Sequence, residues 1–437
     1  MIPSSKNAPP TNLIVQHYAF GGIAFFAFTI LMFLSSDSLS GHHFSPALLT
    51  LTHTYVLGWI SMIIFGALYQ LLPVITLSSL YSTKLAYVTF ILFALGTILL
   101  CYCFWKFEIG LPMQIASLLL LSSIVLFSIN VFLTCKKATN KKTENDFIQT
   151  AALWLLITAI IGILMVFNFR YPFLPMEHLH YLKLHAHFGF VGWFVLLIIG
   201  VASKLLPMFL LSSAQKETKL KSAYYLINIG LLAFFIDGVF FGLNKYRNLF
   251  YYLFVLVGIL LFISFIYKAY KTRARKILDI GMIHTITAIV LLLVPLLCGI
   301  IVVLSKNSIQ PIMPLNTIYA TSFLIGFVGS LVLGQTFKTL PFIVWTNKFG
   351  KMAGKKNIPL PKDLFSEKLL NFQLIVFLTS YIGLLLGLFF SLHFFILFST
   401  ILFIVVAILY NINIWKIISV KSLNYINNGS MEPCKQN

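Results

Sequence analysis

Three histidines stand at the start of two apolar stretches that are nearly alike. His53 opens HTYVLGWISMIIFGALYQLLP, residues 53–73, while His185 opens HAHFGFVGWFVLLIIGVASKLLP, residues 185–207, with His187 two positions later. Neutral imidazole is the commonest metal ligand in proteins. An ionisable side chain inside a membrane-spanning helix is costly and points to a function by default. These three residues are therefore candidate cofactor and metal ligands.

The sequence offers few other potential metal ligands. His178 and His180 precede His185 and His187 by seven residues, about two helical turns, so they continue the same two helix faces and are further candidate metal ligands. The five cysteines show neither metal-site spacing nor the Cys-x-x-Cys-His sequence that attaches haem covalently. Because thiolates and carboxylates are scarce, the ligand set favours haem iron or copper. We interpret the remaining histidines as polar residues of the membrane interface: His17, His42, His43, His284 and His393.

The composition places these histidines in a membrane. The chain has 437 residues, of which 59% are hydrophobic and 10% charged, and its mean hydropathy is +0.94. Apolar runs of about 20 residues, the length that spans a bilayer, recur along it, which argues against a soluble domain. The N-terminus lacks the features of a removable signal peptide, so we expect the first run to be retained as a helix. Twelve spanning helices are predicted, near 18–35, 47–78, 85–104, 110–134, 148–167, 183–210, 223–243, 250–270, 279–304, 316–346, 370–390 and 393–418.

The positions of the basic residues predict orientation rather than nucleic-acid binding. The net charge is +20, and with a cytoplasmic N-terminus 25 of the 31 lysines and arginines lie in inner segments. This asymmetry follows the positive-inside rule. We therefore expect an integral protein of a bacterial inner (cytoplasmic) membrane, with both termini cytoplasmic and the candidate histidines at outer helix ends. The basic loops are expected to contact anionic lipid.

An internal repeat relates three parts of the chain. Pro73, Pro207 and Pro341 are evenly spaced, and we call their separation the repeat interval. The same interval relates two sets of glycines: Gly58, Gly192 and Gly326, and Gly66, Gly200 and Gly334. Because one repeat interval holds four predicted helices, successive repeats enter the membrane in the same orientation. The predicted fold is an all-α polytopic membrane protein, with twelve transmembrane helices in three pseudo-threefold repeats of four and with helices two, six and ten at the centre. Its expected parts are a cytoplasmic segment 1–17, a membrane domain 18–418 with repeats of about 18–134, 148–270 and 279–418, and a polar cytoplasmic tail 419–437.

This arrangement resembles subunit I of the haem–copper oxidases. Three sets of four helices, with histidines near the outer ends of the central ones, carry the resemblance, which covers residues 18–418. HTYVLGWISMIIFGALYQLLPVI and HAHFGFVGWFVLLIIG also resemble oxidase-subunit-I-like bacterial proteins, and NnrS-like haem-and-copper proteins linked to nitric oxide are a further comparison. The resemblance implies haem binding, electron transfer or redox chemistry of nitric oxide or oxygen, and association with other respiratory subunits.

The chain departs from the family pattern on two helices. Helix seven, which carries a histidine pair in the family, has none in SAYYLINIGLLAFFIDGVFFG, and helix ten has Tyr319 and Thr321 where the family has His-x-His. The usual copper centre and high-spin haem are therefore not expected. The single-histidine and His-x-His patterns occur instead on helices two and six. We expect a bis-histidine haem b between His53 and either His187 or His185; repeat equivalence favours His187, and the remaining histidine is left for a second metal, such as copper, or for orienting a ligand.

Two other classes of function also fit the sequence. A membrane transporter would use the central cleft, with Gln70, Lys204 and Lys338 at matched inner-end positions in contact with an anion. A noncatalytic assembly partner would need no cofactor. Asp237 is the one carboxylate well inside a predicted span, and we interpret it as a structural residue bonded to neighbouring helices. Of these classes, only the redox interpretation would make the chain an oxidoreductase.

Overall fold

The protein is a bundle of long helices. A computed structural model describes residues 8–138, 142–213, 217–305, 314–353 and 358–421. Within these ranges there is no β-strand, and twelve helices are long and apolar enough to cross a membrane. Helices suit that environment because each one satisfies its own backbone hydrogen bonds. The predicted all-α polytopic fold is confirmed. The helices are α1 Thr11–Leu34, α2 Pro46–Thr76, α3 Thr83–Lys106, α4 Leu111–Lys136, α5 Thr143–Arg170, α6 His178–Leu210, α7 Glu217–Phe241, α8 Lys245–Lys271, α9 Ile280–Leu304, α10 Leu315–Met352, α11 Glu367–Phe390 and α12 His393–Ile418.

The first helix begins earlier than its apolar run. α1 starts at Thr11, directly after Pro10, rather than near residue 18. Its polar first turns hold the buried residues Leu13, Ile14 and His17. This end of α1 therefore packs against protein rather than lipid, so hydropathy alone placed the boundary too late.

Three helices form the centre of the bundle. In α2, α6 and α10, 67%, 61% and 72% of the apolar span is buried, compared with 50% or less in every other spanning helix of the described chain. Each of the three contacts both of the others, as predicted. The contacts are a hydrogen bond from Tyr55 to the Leu324 carbonyl (3.4 Å), and ring contacts of Phe65 with Trp193 (centroids 6.0 Å apart) and of Phe190 with Phe323 (4.7 Å).

The repeat is also present in the backbone. Each central helix contains a π-helical segment, and the three segments, Thr54–Ser61, Phe188–Val195 and Ser322–Gly329, are again separated by the repeat interval. Such wider turns occur frequently at functional sites. α2 and α6 then end alike, because Leu77 and Leu211 both adopt left-handed backbone conformations, whereas α10 continues further.

Glycines of the central helices admit ring side chains from the helix that begins each repeat. A β-carbon on Gly66 would lie 2.6 Å from the β-carbon of His17, and one on Gly200 would lie 2.8 Å from that of Phe147. In the third repeat, His284 lies against Gly334 in the same way. Interpreting His17 and His284 as interfacial residues was therefore wrong: both are fully buried, because glycine leaves room for the ring within the bundle.

Ion pairs join some of the charged side chains within the bundle. Asp237, buried near the end of α7, binds Arg247 with 2.8 Å between Nε and Oδ1, in agreement with a structural role. Lys338 binds Asp279 with 2.6 Å between Nζ and Oδ2. This ion pair occupies the ammonium group of Lys338. Lys338 is one of the side chains that a transporter would use to contact its anion.

Candidate functional site

His53 lies in α2 at the residue that precedes the π-helical segment. Its Nδ1 lies 2.7 Å from the Leu49 carbonyl oxygen, and its ring packs on Phe104 with centroids 4.9 Å apart. Because a carbonyl oxygen only accepts, Nδ1 must carry the proton. In neutral imidazole the other nitrogen, Nε2, then keeps its lone pair. His53 is thus oriented as a metal-ligating histidine is, with the non-ligating nitrogen bonded to a backbone carbonyl.

His185 is held in the same tautomer by another helix. Its Nδ1 lies 2.9 Å from the Thr158 carbonyl oxygen of α5. Gly162, one turn further along α5, makes room for the ring, since a β-carbon there would lie 3.0 Å from Cε1 of His185. The lone pair of His185 is therefore also on Nε2.

The two rings form a pair across the α2–α6 interface. The centroids of His53 and His185 are 6.3 Å apart, and the ring planes are inclined by 30°. A metal held by two opposed imidazole nitrogens, each at about 2 Å, requires ring centroids roughly 6 Å apart. The spacing of the pair is therefore compatible with two ligands of one metal, and it also lies within the range of ordinary ring contacts.

The structure brings His185, rather than the favoured His187, to His53. Repeat equivalence relates His53 to His187, and in a cyclic arrangement equivalent residues point to successive interfaces instead of towards each other. The partner of one residue must therefore come from a non-equivalent position on the next helix. The His187 ring lies instead 5.9 Å from that of Tyr319 in α10 and 5.6 Å from that of Phe234 in α7.

His178 and His180, the two further candidate ligands, lie away from this pair. Nε2 of His178 is 3.3 Å from the Asn168 amide nitrogen, and its ring stacks on Phe169 at 4.6 Å. His180 donates from Nε2 to the Gly238 carbonyl at 2.7 Å. In the described parts of the chain, no group of three or more His, Cys, Asp or Glu side chains is placed to hold a metal ion.

Both ring pairs line one large cavity. Its volume is about 870 Å³, near the upper end of the roughly 300–1,000 Å³ usual for small-molecule and cofactor sites. His53, His185, His187 and Tyr319 all contribute to its wall, which is otherwise mainly aliphatic and aromatic. The size and lining of the cavity suit an apolar ligand larger than a single metal ion.

Basic side chains also line the cavity. Lys183 and Lys245 contribute to the wall together with His42 and His43, whose rings are 4.5 Å apart, and no acidic residue of the described chain does so. Burial lowers the pKa of His43, and the nearby His42 and Lys183 lower it further. The cavity is therefore suited to a ligand that combines an apolar body with carboxylate groups.

Some of these residues had a signal in the sequence and others had none. Tyr319 follows His185 by one repeat interval, so the repeat alone identifies it. Thr158 acts through its backbone carbonyl, which no residue type reveals. Of the cysteines, Cys101, Cys103, Cys135 and Cys298 are free thiols, and none of these four lines the cavity. Cys434 lies outside the described residues.

No protein-family model matches the chain, and no characterised protein matches it in sequence.

Proposed function

We propose that this chain is a membrane haem protein, in which His53 and His185 are the axial ligands of a b-type haem that carries electrons. The pairing of the two rings at 6.3 Å supports this best, because both imidazoles are fixed by Nδ1 hydrogen bonds and keep Nε2 for a metal. The remaining ligands would come from the porphyrin, so two histidines suffice.

The cavity supports a porphyrin rather than a lone metal ion. Its apolar wall fits the macrocycle, and the basic groups of Lys183 and Lys245 are suitable partners for the two propionate carboxylates. No Cys-x-x-Cys-His sequence is present for covalent attachment, which favours a haem held by its axial ligands and by packing. His187 is not one of the two proposed haem ligands, and it is a candidate ligand for copper.

Ligation by two imidazoles determines which chemistry the proposed haem would supply. A haem held by both His53 and His185 would supply one-electron transfer, because the two imidazoles would leave no ligand position for a substrate. The protein would position the ring, exclude water with apolar side chains and tune the potential through the Leu49 and Thr158 hydrogen bonds. With the N-terminus in the cytoplasm, this site lies near the outer face of the membrane, where a redox partner subunit would exchange electrons with it.

The visible spectrum of the purified protein tests this proposal. We expect Soret and α bands of low-spin haem, and a pyridine haemochrome of the b type. His53→Ala and His185→Ala should each abolish the low-spin spectrum, because each removes an axial ligand. His180→Ala is the matched control: it also removes an α6 imidazole, but one that donates to Gly238, so the spectrum should persist. Colourless protein, or an unchanged spectrum in His53→Ala, would favour a transporter or an assembly partner.

A further inference from the structure

The end of α8 and its connection to α9 are strongly basic. They carry a group of residues that we call the α8–α9 basic cluster: Lys268, Lys271, Arg273, Arg275 and Lys276. Within the described chain, Arg275 alone of this cluster has an acidic partner, with 3.3 Å between its Nη2 and Oδ2 of Asp279. The same carboxylate oxygen lies 2.6 Å from Nζ of Lys338. One carboxylate therefore serves two cations, and the cluster keeps a net positive charge.

Hydrogen bonds to the end of α6 hold the backbone of this connection. The amides of Ala274 and Arg275 donate to the carbonyls of Leu211 and Leu210, each at 3.3 Å. The basic side chains therefore extend from a fixed backbone. Binding a ligand there costs less ordering entropy than it would on a free loop.

Arg273 presents an edge of its guanidinium group that has no partner. Its Cζ lies 3.9 Å from the centre of the Tyr270 ring, and its Nη1 donates to the Tyr270 carbonyl oxygen at 2.8 Å. Nε of Arg273 is buried and makes no hydrogen bond with the described residues. A guanidinium edge pairs well with two oxygens of a phosphate. Arg273 is therefore oriented by Tyr270 and lacks an anionic partner.

Exposed aromatic and apolar side chains accompany the basic groups. Nζ of Lys271 lies 4.9 Å from the centre of the Tyr267 ring, and Tyr267 is 56% exposed. Ile277, in the connection itself, is 87% exposed. Tyrosine is enriched where a membrane meets water, because it has an apolar ring and a polar hydroxyl. These surroundings favour a ligand that is apolar as well as anionic.

The helix that follows the cluster offers an apolar surface. In α9 only 28% of the apolar span is buried, the lowest share among the spanning helices of the described chain. Ile283 and Val290 lie two turns apart on one side of α9 and are 40% and 57% exposed. Hydrocarbon chains can therefore lie along α9 next to the basic cluster.

We propose that the α8–α9 basic cluster binds the headgroup phosphate of an anionic phospholipid, with Lys271 and Arg273 as the principal contacts. With the N-terminus in the cytoplasm, the cluster faces the cytoplasmic leaflet, whose anionic lipids attract basic segments next to spanning helices. The phosphate pairs with the open edge of Arg273, and the hydrocarbon chains lie along α9. This is a specific site on one connection, beyond the general attraction of basic loops to lipid, and it does not depend on a cofactor.

Native mass spectrometry of the purified full-length chain tests this site. In a titration with phosphatidylglycerol, we expect one lipid per chain to bind more tightly than any further lipid. Phosphatidylcholine has the same phosphodiester but also a compensating cation, so it should bind more weakly. Equal affinity for the two lipids would overturn the proposal.

The double variant Lys271→Gln with Arg273→Gln removes the two principal contacts. Its affinity for phosphatidylglycerol should fall at least about tenfold, or ~1.4 kcal/mol, which is the size of one charge-assisted hydrogen bond. Lys136→Gln with Lys137→Gln is the matched control. It removes the same charge from two exposed lysines at the end of α4, and Lys137 also lies over a tyrosine, 5.1 Å from the centre of the Tyr81 ring. The control should keep the wild-type affinity.

Arg273→Lys separates a phosphate site from diffuse attraction. Lysine keeps the charge but lacks the planar edge, so the affinity should fall between those of the wild type and the double variant. Because this change is conservative, it tests the site even if the double variant fails to fold. Wild-type affinity in Arg273→Lys would overturn the role of Arg273.

The remaining outcomes identify the ligand. Equal loss of affinity in the double variant and its control would show diffuse attraction and overturn the site. Displacement of phosphatidylglycerol by inorganic phosphate at the same concentration would assign the cluster to free phosphate and overturn the lipid. A colourless protein that binds phosphatidylglycerol as expected would overturn the proposed haem and leave this site intact.

Discussion

Gly66 of α2 lies directly against the β-carbon of His17 in α1, so that a side chain at position 66 would have no space. A β-carbon there would lie 2.6 Å from that of His17 and 3.6 Å from the Ile14 carbonyl oxygen. The same relationship holds α5 to α6 and α9 to α10 in the other repeats. Close approach through a small residue is a common basis of helix association in membranes, and here it fixes the positions of the helices that carry the candidate ligands.

Gly66→Ala should therefore destabilise the bundle. Overpacking of this kind costs about 1–3 kcal/mol, because the two helices must separate or His17 must move. Thermal unfolding in detergent, followed by tryptophan fluorescence, should show a lower midpoint.

Gly189→Ala is the matched control for this prediction. A β-carbon on Gly189 would meet only Cγ2 of Thr158, at 3.6 Å, which is an ordinary van der Waals contact. The control should unfold near the wild-type temperature. If both variants unfolded at the same temperature as wild type, the close packing of α1 on α2 would not be what limits stability.

Arg247→Ala should be destabilising for an electrostatic reason. Only 4% of the Asp237 side chain is exposed, and removing its Arg247 partner leaves a buried carboxylate without a counter-charge. Breaking a buried pair costs about 3–5 kcal/mol; since 47% of the Arg247 side chain is exposed to solvent, we expect roughly 1–3 kcal/mol.

The double variant Asp237→Asn with Arg247→Ala separates charge from packing. A neutral amide has no charge to compensate, so this variant should recover most of the stability that Arg247→Ala loses. Equal unfolding midpoints for the single and double variants would show that Arg247 acts through packing rather than through its charge.

The overall fold was predictable because it depends on features that a sequence expresses directly. Twelve apolar runs give twelve helices, and the constant repeat interval places Pro73, Pro207 and Pro341 at equivalent points of three central helices. The start of α1 was missed because the polar residues before position 18 are buried by tertiary packing, which hydropathy does not include.

The site was predictable only in part. The repeat identifies His53 and His187 as equivalent residues, but equivalence does not say which residue faces which across an interface. The partner of His53 is His185, because the contact between successive repeats joins two different helix faces. The Thr158 carbonyl that orients His185 belongs to the backbone, so neither composition nor spacing indicates it.

Orientation in the membrane can be measured with single cysteines. Glu108 and Lys137 are exposed at opposite ends of α4, and the distribution of basic residues predicts that Glu108 lies outside and Lys137 inside. In a variant with the native cysteines replaced by serine, a membrane-impermeant maleimide should label Glu108→Cys in intact cells. Lys137→Cys should react only after permeabilisation. The opposite pattern would move the histidine pair to the cytoplasmic side.

Stability should fall in mild acid through His43, which lies in the connection between α1 and α2. Burial lowers its pKa below the ordinary value of 6.5, and the charges of His42 and Lys183 lower it further. The unfolded chain therefore takes up a proton at a higher pH than the folded chain does. The native state is at full stability above pH 6.5 and loses stability as pH falls from there towards the lowered pKa.

His43→Gln should reduce this acid sensitivity, since glutamine takes up no proton in either state. Unfolding midpoints measured from pH 8 to pH 5 should fall less steeply in this variant than in wild type. Lys183→Met should also flatten the profile, though less, because it removes only one of the causes that lower the His43 pKa while burial and His42 remain. A His43→Gln profile as steep as that of wild type would assign the acid sensitivity to other groups.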